Sequence, residues 1–251
     1  VTFTGGMGAQ IISAAIYHDL INSGHTVHAD MSYFESAPHV AKEGNPGDCS
    51  QWGWQLNCFG LKQDSFKVLN FKQSHNTLIL NDGIDKLRFG LEALAKPEIQ
   101  DLFKIGNDLL NSCANMVQKI YLCVHIRRGD YLNVASHIIS DNEFLNIISK
   151  FRKIYKSVVV LSDSKLTESF KCAVLEMFDN AEFMDNIDEV KSHVIMRKAS
   201  SLICSNSQFS LVAAVLNSEG LIIVPKQWFN GENRQLEAVI NEKCRFQLFN
   251  N

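Results

Sequence analysis

The 251-residue chain is 46% hydrophobic and 20% charged, a balance that belongs to a folded globular protein and excludes the disordered and fibrous classes. A formal net charge of -3 gives no global basic field for nucleic acid, so any anion site has to be local. Seven cysteines, an odd number without C-x-x-C pairs and partly inside apolar runs, read as reduced thiols. They argue against a disulfide frame or zinc site and point to a cytoplasmic location.

The length suits one large or two small domains with a substantial core. No apolar stretch approaches a membrane span, and no signal-peptide pattern is visible. The opening Val1-Thr2-Phe3-Thr4 reads as a strand that ends in a glycine turn, Gly5-Gly6-Met7-Gly8. A helix follows, with Ile11, Ile12, Ala15, Ile16 and Leu20 on one face. The glycines do not complete a G-x-G-x-x-G fingerprint, so the turn serves either close packing or a ligand at the helix N-terminus.

Gly24 to Asp30 suggests a second strand. Between Met31 and Leu61 periodicity fades, and Glu35, His39, Glu43 and Asp48 mix with Tyr33, Phe34, Trp52 and Trp54. Such a stretch is either a glycan-binding loop or a surface loop anchored by buried tryptophans. Phe66 to Leu80 has room for a strand or two, Gly83 to Lys96 reads as a helix, and Pro97 to Gln118 as another. A first domain, 1–118, ends there, and a second, 119–251, opens on a central strand.

That strand, Ile120-Tyr121-Leu122-Cys123, leads into Val124-His125-Ile126-Arg127-Arg128-Gly129-Asp130-Tyr131. Ligands of open α/β sheets bind outside the carboxyl ends of the strands. Two adjacent guanidinium groups placed there fit an anion with paired oxygens, a phosphate or a carboxylate. The bland alternative is a surface arginine pair held by the neighbouring aspartate.

Beyond the motif, Asp141-Asn142-Glu143 caps a helix through Phe151. Ser157 to Leu161 is a buried strand ending in Ser162-Asp163-Ser164, and Leu166 to Phe178 a helix. Ala181 to Met184 is a short strand and Asp188 to Lys198 a helix. Ala199 to Cys204 is a strand that runs into the polar turn Ser205 to Ser210; a helix to Leu216 and a strand Leu221 to Val224 complete the series. This alternation predicts a doubly wound α/β domain.

Three stretches together resemble the α-1,2-fucosyltransferase family, glycosyltransferase family 11. They are Gly5-Gly6-Met7-Gly8-Ala9-Gln10, the H-x-R-R-x-D segment His125 to Asp130, and Ser205-Asn206-Ser207-Gln208-Phe209-Ser210-Leu211-Val212-Ala213. Leu161-Ser162-Asp163 and Val224 to Phe229 are weaker landmarks. The chain departs from the family pattern at Ala9, where the family has asparagine, and at Leu211-Val212, where it has a tryptophan pair.

The resemblance implies an α/β protein of GT-B type, with two Rossmann-like domains facing across a cleft. The N-terminal one (1–118) is then the acceptor side and the C-terminal one (119–251) binds the donor. It implies transfer of L-fucose from GDP-β-L-fucose to O2 of a galactoside with inversion, without metal or other cofactor. Implied catalytic residues are Arg127, Arg128 and Asp130. Implied donor contacts are Gly6, Gly8, His125, Arg127, Arg128, Asp163, Asn206, Ser207, Phe209 and Ser210, with a core histidine and a helix cap as the plainer readings of His125 and Asp163. The general base is sought among Glu35, His39, Glu43 and Asp48. The expected partners are a GDP-sugar and a glycan acceptor, no nucleic acid, and a membrane surface where the acceptor is lipid-linked. Two rivals stand beside this reading: a transferase of another GDP-sugar, and a silent relative that binds nucleotide or carbohydrate.

Overall fold

A computed structural model describes residues 1–35, 53–68, 84–117, 120–133, 138–185, 188–218, 220–225 and 246–249. Among these, six strands form one sheet: β1 Leu122–Ile126, β2 Ser157–Ser162, β3 Asn180–Asp185, β4 Ser201–Ile203, β5 Leu221–Pro225 and β6 Phe246–Phe249. Their spatial order is β3-β2-β1-β4-β5-β6, and every pairing is parallel. That is the doubly wound order, and the chain reverses direction across the sheet between β1 and β4.

The helices are α1 Met7–Asn22, α2 Ser32–Glu35, α3 Ile84–Leu94, α4 Pro97–Gln100, α5 Asn107–Ser112, α6 Ala114–Val117, α7 Asp141–Ser149, α8 Glu168–Leu175, α9 Glu189–Lys198 and α10 Gln208–Leu216. Strand side chains alternate between two cores, as the pleat requires. Leu122, Val124, Ile126, Val158 and Val160 pack under α7 and α8 against Phe144, Ile148 and Phe170. Cys123, Val159, Leu161, Leu202 and Ile222 face the other side, where α9 and α10 join α1 and α3 in one continuous cluster. Residues buried on both faces explain why these strands read as unbroken apolar runs.

Helix α1 is buried along most of its first three turns, from Met7 to Tyr17, because α3 and α10 pack on it from two sides. Two glycines permit that approach. A Cβ on Gly8 would lie 2.6 Å from the Phe209 backbone nitrogen, and one on Gly90 2.5 Å from the Ile12 side chain.

Several boundaries differ from the sequence reading. The central strand runs from Leu122 through Ile126, so His125 lies inside it. The strands expected at Val1–Thr4 and Gly24–Asp30 reduce to isolated parallel bridges, Thr2 with Asp30 and Ala29 with Val68. The single helix expected from Pro97 divides into α4, a 3-10 turn Asp101–Phe103, α5 and α6. Lys104 and Gly106 are extended, at a point where glycine disfavours helix continuation. Ser140, not Asp141, caps α7, through a capping box with Glu143. Strand β6 was not expected. Residues 36–52, 69–83 and 226–245 lie outside the described residues, and with them His39, Glu43, Asp48, Trp52 and the landmark Lys226 to Phe229.

Candidate functional site

The carboxyl ends of β2, β1 and β4 meet at the point where the strand order reverses, and side chains from all three are cross-linked there. Arg127 and Arg128 follow β1 and lead into a 3-10 turn, Gly129–Asn133. The Asp163 carboxylate, just past β2, accepts a hydrogen bond from the Arg128 backbone N–H at 2.7 Å. Its other oxygen forms an ion pair with Arg127 Nη1 at 2.7 Å. The Gly129 N–H donates to Ser164 Oγ at 3.1 Å. Gly129 has φ +27°, and a Cβ there would lie 2.5 Å from Asp163 Oδ2. Both conformation and space therefore demand glycine.

The two guanidinium groups have separate anchors. Arg128 Nη2 donates to Asp141 Oδ1 at 2.6 Å on the first turn of α7, and the guanidinium lies over Phe144, 5.8 Å from the ring centroid. Thr167 Oγ1 donates to the other Asp141 oxygen at 3.1 Å. Arg127 lies over Tyr131 at 5.4 Å, and the Tyr131 hydroxyl donates to the Asn206 carbonyl at 3.3 Å. Their side chains keep 19% and 12% exposure for Arg127 and Arg128, so each retains a window to an incoming anion while its orientation is set by protein.

On the β4 side, His125 Nδ1 and Ser205 Oγ are 2.8 Å apart. Burial, then the charge of Arg127, pushes the His125 pKa down to about 3, so the imidazole is neutral and serves as a strut between β1 and the loop after β4. Its ring lies 5.6 Å from Phe209. Ser207 caps α10 by backbone only. The Ser210 hydroxyl is fully buried and donates to the Ser205 and Ser207 carbonyls at 3.2 Å, closing the loop on itself. Asn206 is 3% exposed, and its Oδ1 has no hydrogen-bond partner among the described residues. The free N–H groups of the first turn of α10 present a partial positive charge at the same place.

The glycine turn reaches this site through packing. Gly6 is the N-cap of α1, and Gly8 touches the backbone of Gln208 and Phe209, so the N-termini of α1 and α10 abut. Gln10 is fully buried. Its Nε2 donates to the Gly5 and Gly53 carbonyls at 2.8 Å, and its Oε1 accepts from the Gln55 N–H at 2.9 Å.

Of the aromatic residues considered for sugar stacking, Trp54 is an anchor. Its Nε1 donates to the Leu61 carbonyl at 2.8 Å, and its ring packs against Phe3, Phe34 and Phe66. Glu35 lines an open hollow of about 470 Å³ with Met31, Asn57, Lys62, Gln63, Asp64 and Val68. Asp130 stands in the 3-10 turn, and its side chain lies outside the described residues.

Sequence reasoning passed over Asp141 and Ser164 as site members, and it gave Tyr131 and Ser205 no separate role within the arginine motif and the serine-rich turn. Asp141 carried the signal of a helix start, which hid its role as the Arg128 anchor. His193 gave no signal at all. It is 1% exposed, lies between Phe59 and Phe209, and neither ring nitrogen has a hydrogen-bond partner among the described residues. Burial, then Arg197, holds it neutral. No group of three or more His, Cys, Asp or Glu arranged to hold a metal ion stands among the described residues.

Residues 91–243 match the family model of glycosyl transferase family 11, a span that includes the arginine motif, Asp163 and the loop after β4. The chain belongs to glycosyl transferase family 11. The family match thus covers strands β1 to β5 and the crossing point at which the two arginines sit. No curated protein gives a significant match. Among solved structures, POFUT1 in complex with GDP-fucose aligns at 18% identity and a TM-score of 0.43, over 51% of this chain and 47% of that one. POFUT1 in complex with GDP aligns with the same identity and score, over 51% of this chain and 49% of that one. The chain spans about half the length of these structures.

Proposed function

We propose that this family 11 member transfers L-fucose from GDP-β-L-fucose to a hydroxyl of a glycan, O2 of a galactoside, with inversion. The observation that carries the reading is the pair Arg127–Arg128 at the reversal point of a doubly wound sheet, where the loop before α10 is joined to the same segment through His125–Ser205 and Tyr131–Asn206. Both features recognise a diphosphate. In this reading the acceptor oxygen attacks C1 of fucose as the bond from C1 to the β-phosphate oxygen breaks. The acceptor proton passes to a base, and GDP leaves with the bonding electron pair. Charge develops on the leaving diphosphate, where Arg127, Arg128 and the first-turn N–H groups of α10 meet it.

Each charge-assisted hydrogen bond contributes roughly 1.5–3 kcal/mol, so two that strengthen as the bond breaks supply a large acceleration. Asp163 and Asp141 hold the guanidinium groups in place before the donor arrives, which spares reorganisation during the reaction. Asn206 and Ser207 line the phosphate loop, His125 and Phe209 brace it, and Asp130 orients the arginines. Residues 1–118 form the acceptor side and 119–251 the donor side of a GT-B cleft. The buried thiols Cys113, Cys123 and Cys204 favour a reducing, cytoplasmic setting.

Calorimetric titration with GDP, followed by a GDP-release assay with GDP-fucose and a galactoside, tests the reading. Binding together with acceptor-dependent release is expected. Binding without turnover would leave a silent relative, for which Ala9 on the first turn of α1 speaks. Turnover with GDP-mannose alone would replace the donor, and absence of GDP binding would overturn the whole reading.

A further inference from the structure

The edge of the sheet opposite the candidate site carries an unusual surface. Ile120 is 77% exposed, Ile154 67% and Leu175 55%. They come from three separate connections, yet topology gathers them. Leu122 pairs with Val158, which sets Ile120 level with Lys156, two residues before each. The Asn180 N–H donates to the Lys156 carbonyl at 3.1 Å, so β3 begins beside it. Leu175 ends α8, which returns to this edge before β3 starts.

Ile154 projects from a tight turn in which its own N–H and that of Tyr155 both donate to the Phe151 carbonyl, at 2.8 and 3.0 Å. The Phe151 and Tyr155 rings anchor that turn from beneath. Lys150, Arg152, Lys153 and Lys156 surround Ile154, and all four are exposed. Lys198, exposed at the end of α9, adds a fifth cation at the same edge, where the start of β4 is tied to Tyr121 by the Ser200 N–H. Among the described residues next to Leu175 in sequence, the exposed acids Glu176 and Asp179 stand against these cations. In a chain of net charge -3, this edge is locally positive.

We propose that this edge docks the protein on an anionic lipid bilayer. Cations of this density meet phospholipid phosphates and carboxylates, and the aliphatic tips of Ile154, Ile120 and Leu175 enter the boundary between headgroups and acyl chains. A soluble nucleic acid would satisfy the cations but would leave three bare aliphatic side chains against water, with no exposed aromatic ring among them to stack on bases. Two hydrogen bonds to the Phe151 carbonyl close the turn, so little ordering is needed on docking. The candidate site lies at the other ends of the strands, about 17 Å away for a five-residue strand. Docking therefore leaves it open to the aqueous phase.

The test is co-sedimentation of the full chain with vesicles of phosphatidylcholine, alone or with about one-third phosphatidylglycerol, at about 0.1 M salt. Each cation near such a surface strengthens partition by roughly fivefold, so anionic vesicles should bind at least about tenfold more protein. The excess should fall in high salt. The double variant Arg152→Glu, Lys153→Glu should abolish the preference, and Ile154→Ser should weaken binding several-fold, while GDP affinity stays that of the parent chain in both. Equal partition onto the two vesicle types, or anionic binding that survives the charge reversal, would overturn the proposal. So would retention on heparin without any binding to vesicles, which would make the partner a soluble polyanion.

Discussion

Arg128 is held on a carboxylate at the start of α7 and over an aromatic ring, while Arg127 is tied to the residue after β2. Because both forks are planar and fixed, their loss falls on the transition state more than on folding. Arg128→Ala is expected to lower kcat/KM about a thousandfold, with the melting temperature little changed. Arg127→Ala should be severe to a lesser extent, and lysine at either position should restore only part of the rate, since an ammonium offers no fork. Parent-like turnover in both alanine variants would sink the diphosphate role.

The same scale carries a pH prediction. His125 titrates at about 3 in the fold because burial and Arg127 disfavour its charge, whereas in the unfolded chain it titrates near 6.5. Its contribution to stability is complete above the unfolded value and is lost as pH falls towards the folded one. His193 is depressed in the same direction. Each neutral buried histidine should cost about 1.4 kcal/mol at a pH of roughly 5.5 relative to 7.5. Denaturant melts at the two pH values check this, and His125→Gln should remove its own increment. A stability that rises on acidification would contradict it.

At the scale of elements, the decisive contact is between two helix N-termini. Gly8 on α1 has no room for a methyl group because the backbone of α10 at Phe209 stands 2.6 Å from where its Cβ would be. A backbone cannot rotate away as a side chain can, so Gly8→Ala should cost about 1–3 kcal/mol and should also weaken GDP binding by displacing the loop after β4. Gly24 provides the contrast. Its φ is +85° with nothing near its absent Cβ, so alanine there should cost about 1 kcal/mol through strain alone and leave GDP affinity unaltered. Thermal melts paired with calorimetric titration separate the two. Equal GDP affinity in Gly8→Ala would show that α10 does not transmit the contact.

Across the whole molecule, the arginine pair stands at the carboxyl ends of the strands, and in the proposed reading the base comes from the acceptor side. Glu35 is exposed beside the hollow after the Asp30 bridge, and His39, Glu43 and Asp48 follow it in sequence. At most one alanine variant among these four should lose more than about a hundredfold in kcat, the lower end of general-base effects. Two such losses at unchanged acceptor KM would mean that proton removal is shared and that the acceptor side is built differently.

The apolar runs at Leu122, Ser157 and Leu221 and the polar turns that follow them were legible in the sequence because strand burial is a local pattern. The arginine motif and the serine-rich turn were legible as chemistry for the same reason, since residue type and order need no neighbour. The capping box at Ser140 was misplaced by one residue, because an acid and a hydroxyl both suit a helix start and only the hydrogen bonds distinguish them. What only the tertiary structure decided is who meets whom. The order β3-β2-β1-β4-β5-β6 places Asp163 and Ser205 on either side of the His125–Arg128 segment. It turns Asp141 from a cap into an anchor, and it brings Gly8 to the backbone of Phe209, some two hundred residues later. Strand order and helix approach are set by long-range packing of two cores against one sheet, and a one-dimensional pattern carries no record of which distant segments share a face.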